Sequence, residues 1–334
     1  MIEIDGSFLE GGGQVIRTAV ALSAITGKSC RIEKIRHNRP NSGLQAQHMS
    51  AVKSVANICS AETEASIGAT SLTFKPGEIK GGRFEIDIGT AGAISLVLQS
   101  IILPSIHAEH PTRIEIKGGT HVRWSPTMDY MRSIFCYWMK KIGIDVNFTV
   151  DRYGFYPRGG GMVTAKINPG NPKSLDLTER GELVGHEAVS IASTDLQKAE
   201  VAERQLKRIE KAFPLSKRNI AYLQTASQGS AIHLSSIYEN CMLGASSIGE
   251  RGKSAEKVGE EAAIDMKRSI DSGACLDIHM ADQILPFLAF AKTGSRIRVP
   301  ELTGHVRTNI WVIEKFLPVK FEIDEKEKII SVRP

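Results

Sequence analysis

A chain of 334 residues, 42% hydrophobic and 24% charged, has length for a large buried core and the makeup of an ordinary globular protein, which excludes disordered and fibrous classes. Its formal net charge of +5 suits a polyanionic partner such as RNA without requiring one. Five scattered cysteines without a C-x-x-C exclude a disulfide framework or a zinc ribbon, and read as reduced thiols of a cytoplasmic protein.

Residues 1–13 hold no basic segment followed by an apolar one, so no secretory leader is expected. Residues 2–5 alternate as a strand. The run Glu10-Gly-Gly-Gly-Gln14 then leads into an amphipathic helix with Val15, Ala19, Leu22 and Ile25 on one side and Gly27 as its stop. A strand over 30–35 follows, then a helix from about Ser42 in which Leu44, Val52, Val55 and Cys59 keep helical spacing. Strands over 71–75 and 83–88 close this first unit.

The second unit repeats the order. Gly89-Thr-Ala-Gly92 leads into the most apolar stretch, 94–106, which Gln99 and Pro104 interrupt and which is too short to cross a bilayer. A strand over 113–117 precedes a helix from about Ser125, with Met128, Met131, Phe135, Trp138 and Ile142 in steps of three and four. Strands over 145–151 and 161–167 follow. In the third unit the pattern predicts a strand over 275–279, a helix over 281–291, a strand over 295–299, a helix over 308–317 and strands over 320–323 and 328–332.

The region from about 183 to 273 does not repeat this order. It predicts a strand (187–193), a charged helix (197–213), three strands (219–224, 231–236, 241–248) and a helix (254–272). The expected fold class is therefore α/β (α+β). Three repeated βαβαββ units pack as one large domain, residues 1–180 plus 275–334, with a small α/β domain inserted at 181–274.

The repeat is clearest at three strand-to-helix corners, Arg31–Ser42, Arg113–Ser125 and Arg296–Asn309. Each sets down a histidine followed by an arginine, giving His37, His121 and His305 comparable stations. Familiar nucleotide signatures are missing. No G-x-G-x-x-G follows a strand, and Gly249-Glu-Arg-Gly-Lys-Ser254 lacks the first glycine and the loop length of a phosphate-binding loop, so it reads as a capped helix start. There is no Lys-x-Asp-Gly either, so a covalent nucleotide transfer here needs another nucleophile. An imidazole suits it, being largely neutral at pH 7. Spacing does not choose among the three rings.

Other residues sit where charge is useful. Glu10 precedes a glycine-rich helix start, where a carboxylate favours the helix dipole or holds a divalent ion. Arg17, Arg36 and Arg39 gather near loop ends, suiting phosphate or solvent. Gln99 is the lone polar group in an apolar helix and needs a partner. His279-Met-Ala-Asp-Gln283 sits where a predicted strand runs into a helix, with capping by Asp282 as the plainer role.

At these residues the chain resembles the RNA 3′-terminal phosphate cyclase family. The most specific piece is Tyr153-Gly-Phe-Tyr-Pro-Arg-Gly-Gly-Gly161, which fits the family's G-x-x-P-x-G-G-G signature. Glu10–Arg17, Arg36…Arg39…Gln47-His48, Ser95–Gln99, Ala281-Asp-Gln283 and His305-x-x-Thr-Asn309 follow in family order. The resemblance implies the three-unit fold with its insert, and an ATP-dependent conversion of an RNA 3′-phosphate to a 2′,3′-cyclic phosphodiester. It implies that His305 is adenylylated by ATP with release of pyrophosphate, that AMP moves to the RNA 3′-phosphate, and that the 2′-hydroxyl then displaces it.

By position, the resemblance also implies ATP contacts at Gln99, Pro126, His279 (where the family often carries Tyr), Met280, Ala281, Asp282 and Gln283. It implies an RNA-phosphate cluster of Arg17, Arg36, Arg39, Gln47 and His48, and Glu10 beside Mg²⁺ or Mn²⁺. It implies no obligate protein partner. Two alternatives stand beside this reading. One is a cyclase-like scaffold of ribosome or RNA processing that keeps the fold without the nucleophile, against which the retained His305, Glu10 and Arg17 blocks argue. The other is an enolpyruvyl transferase, also built from βαβαββ units but longer and without this glycine-rich signature.

Overall fold

In a computed structural model, which describes residues 1–9 and 11–333, strand alternation buries one face of each sheet. On β2 (Cys30–Glu33) Cys30 and Ile32 are buried while Arg31 and Glu33 face out. β1 (Ile2–Asp5) runs parallel to β2, Ile2 opposite Cys30. A parallel pair cannot close through a tight turn, so α1 (Gly13–Thr26) crosses between them. α2 (Ala46–Cys59) then leads to β3 (Glu62–Glu64) and β4 (Leu72–Lys75), and the sheet order is β1-β2-β4-β3.

The second sheet repeats this: β5 (Gly82–Asp87), α3 (Ile94–Ser105), β6 (Thr112–Gly118), a helix in three pieces, then β7 (Val146–Arg152) and β8 (Gly161–Ile167), ordered β5-β6-β8-β7. The three pieces are α4 (Met128–Tyr130), a π-helical turn over Met131–Phe135, and α5 (Cys136–Lys141).

The third unit opens with β9 (Asp176–Leu177), and there the chain departs. The excursion is a sheet of β10 (Leu183–Ser193), β11 (Leu215–Leu223), β12 (Ser230–Tyr238) and β13 (Met242–Ile248), ordered β11-β10-β12-β13, with α6 (Val201–Glu210) and α7 (Ala255–Asp271) packed on it. The chain returns through α8 (Met280–Gln283) and α9 (Leu285–Leu288) to β14 (Ser295–Arg298), α10 (Gly304–Phe316), β15 (Lys320–Asp324) and β16 (Ile329–Arg333). The order β15-β16-β14-β9 is the same topology again, with β9 and β14 parallel. The fold is mixed α/β, three βαβαββ units with an α/β excursion.

Five details differ from the sequence-based expectation. The strand near 83–88 is the first of the second sheet, since β5 pairs with β6. The strand that completes the first sheet is β3, whose Glu-Thr-Glu carries no apolar alternation. Residues 275–279 form turns and no strand, because β9 already fills that place. Residues 281–291 make two one-turn helices, with Pro286 in the second. Finally, α10 starts at Gly304, capped by Thr303, whose hydroxyl accepts from the Val306 N–H at 3.2 Å. His305 therefore lies in a helix's first turn.

α1 is buried almost all round, with α2, α3 and α10 against it, so helices of all three units meet there. The excursion packs on the second unit. Gly244 of β13 sits so close that a Cβ would fall 2.4 Å from Ile134, and Trp138 Nε1 donates to the Met242 carbonyl at 3.1 Å. One carboxylate closes this junction. Asp277 is fully buried and accepts four hydrogen bonds, from Tyr130 OH (2.8 Å), His279 N (3.0 Å), Met280 N (2.9 Å) and Gly244 N (3.0 Å). Asp277, rather than Asp282, thus satisfies the first amides of α8, and burial together with Asp277 keeps the Tyr130 phenol well above its usual range.

Candidate active site

The start of α1 is built for close approach. Gly11 takes a left-handed φ of +52°, and a Cβ on Gly13 would fall 2.3 Å from His48 Nε2. Gln14 and Thr18, one turn apart, are buried polar residues on a largely apolar helix, and both point to the third unit.

The Gln14 carboxamide joins three groups. Its Nε2 donates to Asp282 Oδ2 at 2.8 Å and to the His305 carbonyl at 3.2 Å, while its Oε1 lies 2.6 Å from His305 Nδ1. The backbone carbonyl only accepts, which fixes the NH₂ toward it and the oxygen toward the ring. An amide oxygen only accepts as well, so His305 Nδ1 donates its proton to Gln14, and in the neutral ring it is Nε2 that holds the lone pair. Asn309, one turn along α10, finishes the frame. Its Nδ2 donates to the Asp282 carbonyl at 2.8 Å and its Oδ1 accepts from Thr18 Oγ1 at 2.8 Å.

Charges are held in tension around this frame. Burial pushes the Asp282 carboxyl up to about 7, against the pull of Arg17. Burial pushes the Arg17 guanidinium down to about 10, with Asp282 opposing. His48 is driven down to about 3 by burial, then by Arg17 and Arg36, so its ring is neutral across the working pH range. Its Nδ1 accepts from the Gln45 N–H at 3.2 Å, which closes a reciprocal cap on α2 and leaves Nε2 as the N–H facing Gly13. Arg36, in a left-handed conformation (φ +55°), has its guanidinium lowered by burial and then by Arg39. Gln47 Oε1 accepts from the Ala93 N–H at 3.2 Å and so ties α2 to the Gly-rich corner before α3.

A small cleft with a cavity volume of about 60 Å³, partly open to solvent, is lined by Gln14, Arg17, Gln99, Asp282, Gln283 and Asn309 with apolar side chains between them. Gln99 Nε2 and Gln283 Oε1 are buried without a hydrogen-bond partner, one donor and one acceptor at its wall.

The structure thus brings Gln99, Arg17, Asp282 and Gln283 to one cleft with His305 at its edge, and places His48 against Arg17 and Gly13. Met280 and Ala281 are fully buried, so their side chains are closed to solvent. Pro126 and His279 do not line this cleft. Pro126 precedes the Thr127 cap of α4, and the His279 ring meets the Tyr130 ring edge-on at 6.2 Å. Glu10 lies outside the described residues. Gln14, Thr18 and Asn309 escaped sequence reasoning as site residues, and the signal was their polarity at helical spacing within apolar faces. His37 is exposed in a turn, and His121 is buried against Asp129, its Nε2 3.0 Å from Oδ2, so the three corner histidines occupy unlike surroundings.

The family model described as RNA 3′-terminal phosphate cyclase matches residues 8–323. An RNA 3′-terminal phosphate cyclase of Methanopyrus kandleri is 44% identical, the match covering 100% of this chain and 99% of the relative. Those of Methanosarcina barkeri and Pyrococcus furiosus are 43% and 40% identical, each match covering at least 99% of both chains. Among solved structures, the enolpyruvyl transferase NikO from Streptomyces tendae matches at 16% identity over 49% of this chain and 33% of that one with a TM-score of 0.28, too loose a likeness to bear on function.

Proposed function

The chain belongs to the RNA 3′-terminal phosphate cyclase family, and from that premise we propose that it closes RNA 3′-phosphates with ATP through a His305–AMP intermediate. The carrying observation is the Gln14 bridge, whose amide oxygen takes the Nδ1 proton and so supports Nε2 of the neutral ring as the nucleophile.

In the first step Nε2 forms a bond to the α-phosphorus of ATP and the bond to the β-phosphate oxygen breaks, releasing pyrophosphate. Positive charge grows on the ring and is met through its Nδ1–H by Gln14, whose NH₂ rests on Asp282. In the second step an oxygen of the RNA 3′-phosphate attacks the same phosphorus and the N–P bond breaks. In the third the 2′-hydroxyl attacks the 3′-phosphorus, its proton departs, AMP leaves and the ring phosphodiester remains. Arg17 and the amide ends of α1 and α10 are proposed to neutralise charge as it moves.

Gln99 and Gln283, with an idle donor and an idle acceptor at the cleft wall, are proposed to meet the nucleotide. Pro126, His279, Met280, Ala281 and Asp282 are proposed to complete its surroundings. Arg36, Arg39, Gln47 and the neutral N–H of His48 are assigned to the RNA phosphate. A divalent ion, Mg²⁺ or Mn²⁺, belongs to the proposal, since such ions bind phosphate oxygens together with one or two carboxylates, and Glu10 is the carboxylate assigned to it. Among the described residues no group of three His, Cys, Asp or Glu side chains could hold a metal ion. We read residues 181–274 as an inserted domain on a catalytic body of 1–180 plus 275–334. We also read the protein as cytoplasmic and without an obligate protein partner; no described helix is long and apolar enough to cross a membrane.

Gln14→Ala is expected to slow self-labelling by ATP on the order of a hundredfold, the usual cost of losing one oriented partner of a reacting group. Single-turnover rates check this, and a rate within about twofold of the parent rejects the relay. The three-step order is tested with two matched oligonucleotides that end in a 3′-phosphate, one with a terminal 2′-hydroxyl and one without. The first should close. The second should stop as the adenylylated end and accumulate, because the last nucleophile is missing. Failure of the deoxy end to take AMP while the ribose end closes overturns the order.

A further inference from the structure

Trp124 is 85% exposed and Tyr156 73%, and they are the exposed large aromatic side chains among the described residues. A single exposed aromatic is ordinary, but two on neighbouring loops make the kind of exposed apolar feature that marks an interaction site. Both sit on loops that converge, since His121 and Phe155 form a parallel bridge. Trp124 holds a left-handed φ of +61°, a strained conformation for so bulky a side chain.

Beneath them lies a rigid footing. His121 Nε2 lies 3.0 Å from Asp129 Oδ2, Tyr153 OH donates to Asp129 Oδ1 at 3.1 Å, and the Gly154 N–H donates to Thr120 Oγ1 at 3.0 Å. The His121 ring packs on the rings of Tyr153 and Phe155 at 5.4 and 5.6 Å. This buried network serves neither the cleft nor His305. It pins the two loops that carry the aromatics.

Cations surround the pair. The Arg123 guanidinium lies 4.5 Å over the Trp124 ring and Nη1 pairs with Glu250 at 3.3 Å, while Arg152 and Arg158 are exposed on the glycine-rich loop. Behind this surface the loops pack tightly on one another. A Cβ on Gly159 would fall 2.9 Å from the Ala91 Cα, and one on Gly119 would fall 2.5 Å from the Ala91 carbonyl. Gly92 neighbours Gln47, and the adjacent His48 touches Gly13 at the start of α1. Gly119 and Gly159 are buried, and their missing side chains let the two loops pack closely on Ala91, which fixes the seat of the aromatics.

We propose that Trp124 and Tyr156 form a stacking platform for bases of single-stranded RNA a few nucleotides before the reacting 3′ end, with Arg123 and Arg158 at its phosphates. Every base offers a flat π face, so such a platform binds without sequence preference and salt weakens it. The proposal rests on the reading that an RNA 3′ end is the substrate. It gives the glycine-rich signature a physical role as the loop that seats Tyr156.

The test uses Trp124→Ala and Tyr156→Ala in the full chain. Self-labelling by ATP, which needs no RNA, serves as the internal control. Each variant is expected to raise KM for a substrate of about ten nucleotides roughly tenfold, as the loss of one stacked base predicts. A dinucleotide 3′-phosphate, too short to reach the platform, should keep its KM. Trp124→Phe and Tyr156→Phe should restore most of the loss. As a readout independent of chemistry, RNA ending in a 3′-hydroxyl should quench tryptophan emission in the parent and not in Trp124→Ala. Quenching without closure of 3′-phosphate ends retains the platform and rejects the proposed reaction. Closure with equal KM for long RNA in parent and variants rejects the platform.

Discussion

His305→Ala is expected to reduce labelling of the protein by α-labelled ATP to background and to slow closure of RNA 3′-phosphates on the order of 10⁴-fold or more, the scale for removing a covalent nucleophile. The side chain is exposed at the cleft edge, so its removal opens no cavity and the fold should survive. In the parent the label should be acid-labile, as a nitrogen–phosphorus bond is. His37→Ala, which removes an exposed ring from the equivalent corner of the first unit, should leave labelling nearly unchanged. A label that persists in His305→Ala, or an equal loss in His37→Ala, rules out the assignment.

Asp277→Ala is expected to cost about 3–5 kcal/mol of stability, since each buried donor left without a partner costs about 1–3 kcal/mol. The loss strands four donors at once, Tyr130 OH and the amides of Gly244, His279 and Met280, in a place closed to water. Three regions meet at that carboxylate, so the damage should spread to the start of α8 and thus to Asp282 beyond it. Urea unfolding followed by circular dichroism reads the loss. Asp277→Asn, which keeps an acceptor for the Oδ1 partners, should recover part of it. A loss below about 1 kcal/mol contradicts the account of Asp277 as the fastener of this junction.

The repeat was legible because its strands alternate and its helices keep steps of three and four. β4, β6 and α2 are examples, each with an apolar face that only one secondary structure can bury. β3 and β9 were not legible, for they are three and two residues long and hold register by pairing alone. The turns at 275–279 imitate a strand because Cys275 and Leu276 are buried, yet what orders them is a carboxylate whose partners lie in two other regions. The histidines show the same limit. Their corners match in sequence, but Gln14, which orients His305, is 291 residues away. Local spacing carries no trace of so distant a hydrogen bond. The blocks at Arg17, Gln99 and Asp282 were visible as polar residues in apolar company, while their convergence on one cleft depends on how three units pack.

The interruption between β9 and its parallel neighbour β14 has a kinetic corollary. Their junction pairs Leu175 N–H with Ser295 Oγ across 120 residues, whereas in the first two units the corresponding strands are joined by a single helix. Contacts so remote along the polymer form late, because a long loop must close before they contribute. On the ribosome the first two sheets can therefore assemble while β9 waits for β14 to be synthesised. Because α10 and His305 lie beyond the excursion, the chain acquires the frame around that ring only after the whole excursion has been synthesised.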